Sequence, residues 1–510
     1  MIFSKKTNPR TDKFRKNVSS ERLAKLSGLA EPKTAVSMLT WLVFTASCSA
    51  VLSFESLGEG NSIKFLCQSA IVTLLAVMMS LYIYHYQKRL LKNNVRLVAL
   101  AGLFIVFAMA TKIGIILTGQ LYWTTATATA AAIILTIAYN QRFAIGISFF
   151  YCFFAYFAAN ALGRFDLFVI MVASVLTCCF SLREIRTRMK LLEVSALAAA
   201  VVFITSVAIN FLTNGSSSRE IILESGLHAG AAFFVGLLIQ SLLPLIEKIF
   251  KIATSMTLLD YTDANQPLLK RLAMEAPGTF SHCLLVGSIA EAAAEAIGRN
   301  GLLCRVGAYY HDIGKINKPK YFIENAGGSL SKHKELSPTM SQLVIIGHVK
   351  DGIELAKEYG LPAVIRQFVE THHGTTLVEY FYNEARKQAG DRYAQISEAE
   401  FRYGGPKPRT KEAAIVMLAD TIEGAVRALS EMTLAKIEMV VHNMAMKRLQ
   451  DGQFDECDLS LSELSKIEAA LVKALSAHYH GRISYPQRPD KPAHEQKYAL
   501  DNLNDDDNGQ

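Results

Sequence analysis

The sequence predicts an all-α chain with a polytopic helical membrane half followed by a helical soluble half. Three observations carry this. Long apolar runs fill residues 37–248, whereas 250–510 read as an ordinary soluble protein. Basic segments alternate with positive-poor segments between the apolar runs. After residue 252, apolar residues recur with helical spacing, and no alternating strand pattern is found.

The first 36 residues carry nine Lys/Arg against three Asp/Glu, six of the chain's net charge of +8. A basic arm directly before an apolar span is a topology signal and not a nucleic-acid signature, so no nucleic-acid polymer is expected as partner. Eight candidate spans follow, at about 37–56, 65–84, 96–118, 122–139, 143–161, 166–182, 191–213 and 228–247. The loops "HYQKRLLKNNVR", "NQR", "REIRTRMK" and "EKIFK" are basic; "ESLGEGNS", "TGQ", "GRFD" and "TNGSSSRE" are poorer in positive charge. This bias places both termini in the cytoplasm of a multi-pass protein whose partner is the lipid bilayer, and an even span number agrees. The fourth and sixth spans are the weakest, being short or rich in Thr and Ala. Lys112, near the outer end of the third, is read as snorkelling to the interface. The eight cysteines include no CxxC pair and form no disulfide framework.

The expected organisation is a basic arm at 1–36, a membrane domain at 37–248, a linker and first helix at 249–278, an all-α domain at 279–482 and a disordered acidic tail at 483–510. Pro267 marks a helix start. Helices are expected at 279–297, closed by Gly298, and at 301–311, 337–347, 351–359, 362–372, 376–388, 411–429, 434–450 and 461–476.

Six of the twelve histidines fall between 282 and 373. His282 lies inside an apolar helix, where an unpaired imidazole is costly. His311 and Asp312 end an apolar run just before Gly314, His348 follows "LVIIG", and His372 and His373 end another apolar run. Asp420 stands in the apolar run "IVMLADTIEGA". Two divalent metal ions would resolve all these burial problems together, with imidazole and carboxylate donors suiting iron, manganese or zinc. Seven donors exceed one tetrahedral site and suit two octahedral ions, with Asp312 as the natural bridge. A centre of that kind lowers the pKa of a shared water and clamps a phosphoryl displacement.

"HDIGK" (311–315), with His282 before it and Asp420 after it, resembles the HD-domain phosphohydrolases. The match extends over 258 to about 453 through "APGTFSHCLLVGSIAEAAAEAIG", "CRVGAYYHDIGKINKPKYFIEN", "LSPTMS", "HVKDGIELA", "HHGTTLVEYFY", "YGGPKPRTKEAAIVMLADTIEGAVRAL" and "RLQDGQ". Together these look like the bacterial seven-transmembrane HD family, membrane-anchored phosphodiesterases that hydrolyse cyclic di-AMP to linear pApA. The resemblance implies a cyclic dinucleotide substrate, manganese or iron as the two ions, and the inner (cytoplasmic) membrane as location; it leaves room for a homo-oligomer. It implies His282, His311, Asp312 and Asp420 on one ion and Asp312, His348, His372 and His373 on the other. One of His372 and His373 could instead meet the substrate phosphate. Lys315 is placed as a catalytic residue neutralising a phosphate oxygen, and His333 as a substrate contact. Two departures stand out. "TYHH" of the family is "TFSH" here, and the first outward loop has about eight residues, too few for the family's outer sensor domain. Alternatives are a phosphodiesterase for cyclic di-GMP, although "HHGTTLVEYFY" lacks the Gly-Tyr-Pro of the HD-GYP enzymes, or a membrane receptor that binds nucleotide without hydrolysis.

Overall fold

The computed structural model describes residues 32–54, 62–91, 94–159, 164–182, 187–213, 217–250, 252–326, 332–390 and 396–480. Residues 55–61 of the loop expected to face outward, most of the N-terminal arm and the acidic tail lie outside them. Contacts divide the chain into one unit up to residue 266, with 360–364, and a second unit made of 267–359 and 365 onward. The second unit includes the helix opened by Pro267, a segment the sequence reading assigns to the linker. Among the described residues both units are helical, with one isolated bridge between Leu377 and Arg402 and no strand.

The first unit contains α1 (Pro32–Leu52), α2 (Ser62–Tyr86), α3 (Asn94–Thr118), α4 (Tyr122–Ala138), α5 (Gln141–Ala158), α6 (Phe165–Ser181), α7 (Arg188–Thr213), α8 (Ser218–Phe250) and the short α9 (Ser255–Asp260). Six of these, α1 to α3, α5, α7 and α8, are long and apolar enough to cross a membrane. α4 and α6 have 17 residues each, about 25 Å of helix, shorter than a hydrocarbon core of about 30 Å.

These two short helices are also the most enclosed. Every residue from Thr124 to Leu135 of α4 is buried. The alternation "TTATATA" supplies small side chains for close approach and hydroxyls for interhelical bonds. Thr127 reaches Thr111 of α3 at 2.6 Å, Thr129 reaches Ser174 of α6 at 2.6 Å, and Thr125 reaches His228 Nδ1 of α8 at 2.7 Å. The Thr and Ala content that makes the fourth span weak by hydropathy is thus what lets it sit inside the bundle. Lys112 corrects the expectation of snorkelling. It is 5% exposed, and its Nζ donates to the carbonyl of Ala158 at 3.1 Å. The last carbonyls of α5 have no partner within their own helix and attract a cation.

The second unit holds α10 (Pro267–Glu275), α11 (Pro277–Ala296), α12 (Gly301–Tyr310), α13 (Pro338–Glu358), α14 (Ala363–Thr371), α15 (Glu379–Ala389), α16 (Lys411–Arg427), α17 (Leu434–Gln450) and α18 (Leu461–His480). Short 3-10 turns link α12 to α13. α16 is the centre: Ala413 to Ala419 are buried without interruption, packed with residues of α11, α12, α17 and α18. Gly298 (φ +65°) follows the end of α11 in the left-handed region expected of a closing glycine. One boundary differs from expectation. The segments 337–347 and 351–359 are a single helix, α13, through His348. The glycines that look like breakers lie within its turns, and at Gly352 the missing side chain admits the backbone of Gly314, whose N lies 3.2 Å from where a Cβ would stand.

Candidate metal centre

Four segments bring the polar residues together. His282 projects from the middle of α11, and Asp420 and Glu423, three residues apart on one face of α16, point back towards it. α12, whose first turn is capped by Asn300 accepting from Leu303 N at 2.9 Å, ends on His311. His348 comes from α13, and His372 and His373 follow α14.

The glycine of "HDIGK" has a steric reason. A Cβ on Gly314 would stand 1.8 Å from the main-chain oxygen of His348. The turn carrying Asp312 therefore lies directly against the helix carrying His348, backbone to backbone. Gly307, one turn before His311, is likewise closed by the Phe368 ring, which lies 2.4 Å from where a Cβ on that glycine would be.

The donors fall into two groups that share Asp312: His282, His311, Asp312 and Asp420, and Asp312, His348, His372 and His373. Within each group the ligand atoms lie within 4.8 Å of one another. Asp312 Oδ2 is 3.2 Å from His311 Nε2 and 3.6 Å from His282 Nε2; Asp312 Oδ1 is 3.3 Å from His348 Nε2 and 3.5 Å from His372 Nε2. Asp420 Oδ1 stands 3.0 Å from His282 Nε2 and 3.5 Å from His311 Nε2, and its Oδ2 is 3.9 Å from His373 Nδ1. One carboxylate thus offers one oxygen to each group.

The tautomers are fixed from behind. Nδ1–H of His311 donates to Ala308 O at 2.6 Å, that of His348 to Ile345 O at 2.5 Å and that of His372 to Val369 O at 3.0 Å. His282 Nδ1–H donates instead to Glu423 Oε2 at 2.6 Å. All four Nε2 atoms then face inward, the arrangement of metal-binding histidines, with a lone pair available to an ion once the proton is lost.

Electrostatics agree. Burial alone would lower the His282 imidazole, but the Asp420 and Glu423 carboxylates outweigh it and push it up to about 9. Burial likewise opposes the charged forms of His311 and Asp312, and is overcome by their mutual attraction, which raises His311 well above and holds Asp312 well below its ordinary range. Asp420 is held low against its burial by His282 and His311. His373 falls well below the usual imidazole value, through burial first and then the neighbouring His372 and His348. His311 Nε2 and Asp312 Oδ1 are buried with no hydrogen-bond partner. Buried donors of that kind are expensive unless an ion meets them, so the residues fit a metal pair. HD domains are metal-dependent, and this chain carries the donor set.

Lys315 is partly buried beside the centre, with Nζ 2.7 Å from Asp312 Oδ2 and 2.8 Å from Glu324 Oε1. Although burial opposes its charge, these carboxylates raise its pKa well above the ordinary lysine value. Beyond it opens a cleft of about 680 Å³ in which Lys315, His348 and His373 stand beside Tyr321, Phe322, Phe381 and Tyr403. His333 is on the cleft wall and outside both donor groups. Its Nε2–H donates to Tyr321 O at 2.8 Å, and its ring lies 4.9 Å from Phe381.

Three further residues enter that the sequence does not single out. Glu423 holds His282, Glu324 holds Lys315, and Tyr403 stacks on His373 with centroids 4.2 Å apart and planes at 27°. Only Glu423 has a signal in the sequence, a second carboxylate in the apolar run that contains Asp420.

Comparison with known proteins fits this arrangement. The family described as 7TM receptor with intracellular HD hydrolase matches residues 63–254, and the HD domain family matches 279–425. The cyclic-di-AMP phosphodiesterase PgpH of Bacillus subtilis is 38% identical over 71% of this chain and 51% of that protein. The protein of the same name from Listeria monocytogenes is 36% identical over 79% of this chain and 55% of its own length. The chain therefore spans about half the length of the curated relatives it matches. The crystal structure of the L. monocytogenes PgpH HD domain in complex with cyclic-di-AMP is 45% identical, covers 43% of this chain and all of that one, and has a TM-score of 0.40. In this multi-pass membrane protein the two family models thus match in tandem, the 7TM receptor model over most of the apolar helices and the HD domain model over the paired donor groups.

Proposed function

We propose that the protein is a metal-dependent phosphodiesterase that hydrolyses cyclic di-AMP to linear pApA at the cytoplasmic face of the inner membrane and so sets the level of a second messenger. The observation that carries this reading is Asp312, one oxygen turned to each of two histidine-rich donor groups. His282, His311, Asp312 and Asp420 hold one divalent ion, and Asp312, His348, His372 and His373 the other. The mixed imidazole and carboxylate set suits manganese or iron. When bound, such a pair supplies Lewis acidity at a phosphodiester and lowers the pKa of water.

The chain's own residues do the rest. Water adds to phosphorus, the bond to a ribose 3′-oxygen breaks, and that oxygen takes a proton to leave as a hydroxyl. Lys315, held charged by Asp312 and Glu324, faces the cleft and offsets charge on a non-bridging phosphate oxygen. The rings of Tyr321, Phe322, Phe381 and Tyr403 give flat apolar walls on which purine bases stack, with His333 among them as a further contact. Burial of His311, Asp312 and His372 keeps bulk water from the floor of the site. The Lys/Arg bias of the loops supports cytoplasmic termini for the membrane half.

The test is turnover by the full chain in detergent with Mn²⁺. Conversion of cyclic di-AMP to pApA is expected, and cyclic di-GMP should compete poorly. Preference for cyclic di-GMP would replace the substrate. Tight nucleotide binding with no product at full metal loading would favour a non-hydrolysing receptor.

A further inference from the structure

We propose that Glu423 is a positioning residue that makes the group of His282, His311, Asp312 and Asp420 the tighter of the two ion sites, so that the ions load in order. This rests on the dinuclear reading above and adds to it. The observation is an asymmetry behind the ligands. His311, His348 and His372 anchor their Nδ1–H on main-chain carbonyls of their own helical turns. His282 alone of these four anchors on a carboxylate, Glu423 Oε2 at 2.6 Å, delivered by another helix.

Hydrogen bonds to charged acceptors are shorter and about twice as strong as neutral ones. A carboxylate behind an imidazole also raises the basicity of the opposite nitrogen, here the Nε2 that faces Asp420 and Asp312. Glu423 is 1% exposed, so water does little to screen it. On its surface side it meets Arg427, whose Nη2 lies 3.4 Å from the same oxygen.

The two groups also differ in charge. The first has two carboxylates among its ligands and Glu423 behind them; the second has the shared Asp312 and three imidazoles. Its third imidazole is braced differently, because His373 leans on the Tyr403 ring. A divalent ion is therefore held by more negative charge and a more basic imidazole in the first group. Because α16 carries Asp420 and Glu423 on one face, a single helix sets both the ligand and the brace.

The experiment is Mn²⁺ titration of the full chain in detergent, followed by the electron paramagnetic resonance of free Mn²⁺. Wild type should bind two ions with separated affinities, and His348→Ala should lose the weaker event and keep the tighter. Glu423→Gln keeps the shape and an acceptor but removes the charge. It should weaken the tighter event roughly tenfold or more while moving the weaker less than threefold, and Glu423→Ala should cost more. A single cooperative melting transition of metal-free Glu423→Gln checks the fold. Equal weakening of both events, an unchanged tighter event, or two equal sites in wild type overturns this inference and leaves the phosphodiesterase reading standing. Wild type that takes up no Mn²⁺ overturns both.

Discussion

The ring of Tyr403 lies parallel to that of His373, 27° between planes and 4.2 Å between centroids. It is pinned there by main-chain bonds, Tyr403 N to Thr376 O at 3.0 Å and Val378 N to Phe401 O at 2.9 Å. Ring pairs of this kind contribute about 0.5–1.5 kcal/mol. Tyr403→Ala should therefore weaken the second ion or raise KM by roughly three- to tenfold, and Tyr403→Phe should restore wild-type values. Equal losses in both variants would assign the effect to the hydroxyl instead.

Asp312→Ala removes a ligand from both donor groups at once. Binding of both ions and all turnover should be lost, whereas His348→Ala should spare one ion. Metal content by elemental analysis separates the outcomes, and two retained ions in Asp312→Ala would show that this carboxylate is no bridge.

The proposed role of Lys315, offsetting charge that develops during reaction, has a kinetic signature. Lys315→Ala should lower kcat by roughly 10²–10³ with little change in metal content. Glu324→Gln loosens Lys315 without removing it and should cost less. The comparison is steady-state kinetics on the two variants, and a change confined to KM would recast Lys315 as a binding residue.

In the metal-free protein, His282 titrates at about 9, above its ordinary value of 6.5. Its contribution to stability is complete below about pH 6.5 and is lost as pH rises through about 9. Asp312 and Asp420 are depressed, so theirs is present above the ordinary carboxylate value and is lost as pH falls through their lowered ones. Melting temperature without metal should fall between about pH 7 and 9. Mn²⁺ binding near about pH 7.5 should release protons, seen as a binding enthalpy that varies with the buffer's ionisation enthalpy. A buffer-independent enthalpy would contradict these protonation states.

Gly314→Ala forces a methyl into the main chain of His348. A destabilisation of roughly 1–3 kcal/mol is expected in chemical denaturation, with loss of metal affinity at both sites. Normal metal binding in this variant would mean the turn and α13 can part without consequence.

The donors are legible in the sequence because each breaks a rule of burial. Asp420 inside an apolar helix and His282 inside another have no cheap apolar explanation. Glu423 breaks the same rule, but its meaning depends on a histidine 141 residues earlier and emerges only when the two helices meet. Tyr403 and Glu324 leave no trace, for they sit in a loop and a three-residue 3-10 turn whose positions are set by tertiary pairing. The length of α13 is obscured by Gly347 and Gly352, which punctuate by local propensity although the helix runs through both, and Gly352 serves close packing. Among the spans, α4 and α6 fall short by length, at 17 residues each, and their burial within the bundle accounts for both.

The contact at Gly314 also bears on how the two donor groups are spaced. The gap between the two halves of the site is gauged by main-chain atoms of the Asp312 turn and of α13, with no rotamer to yield. A missing methyl group thus leaves the spacing of the two donor groups to the main chain, ahead of any adjustment by the ligand side chains.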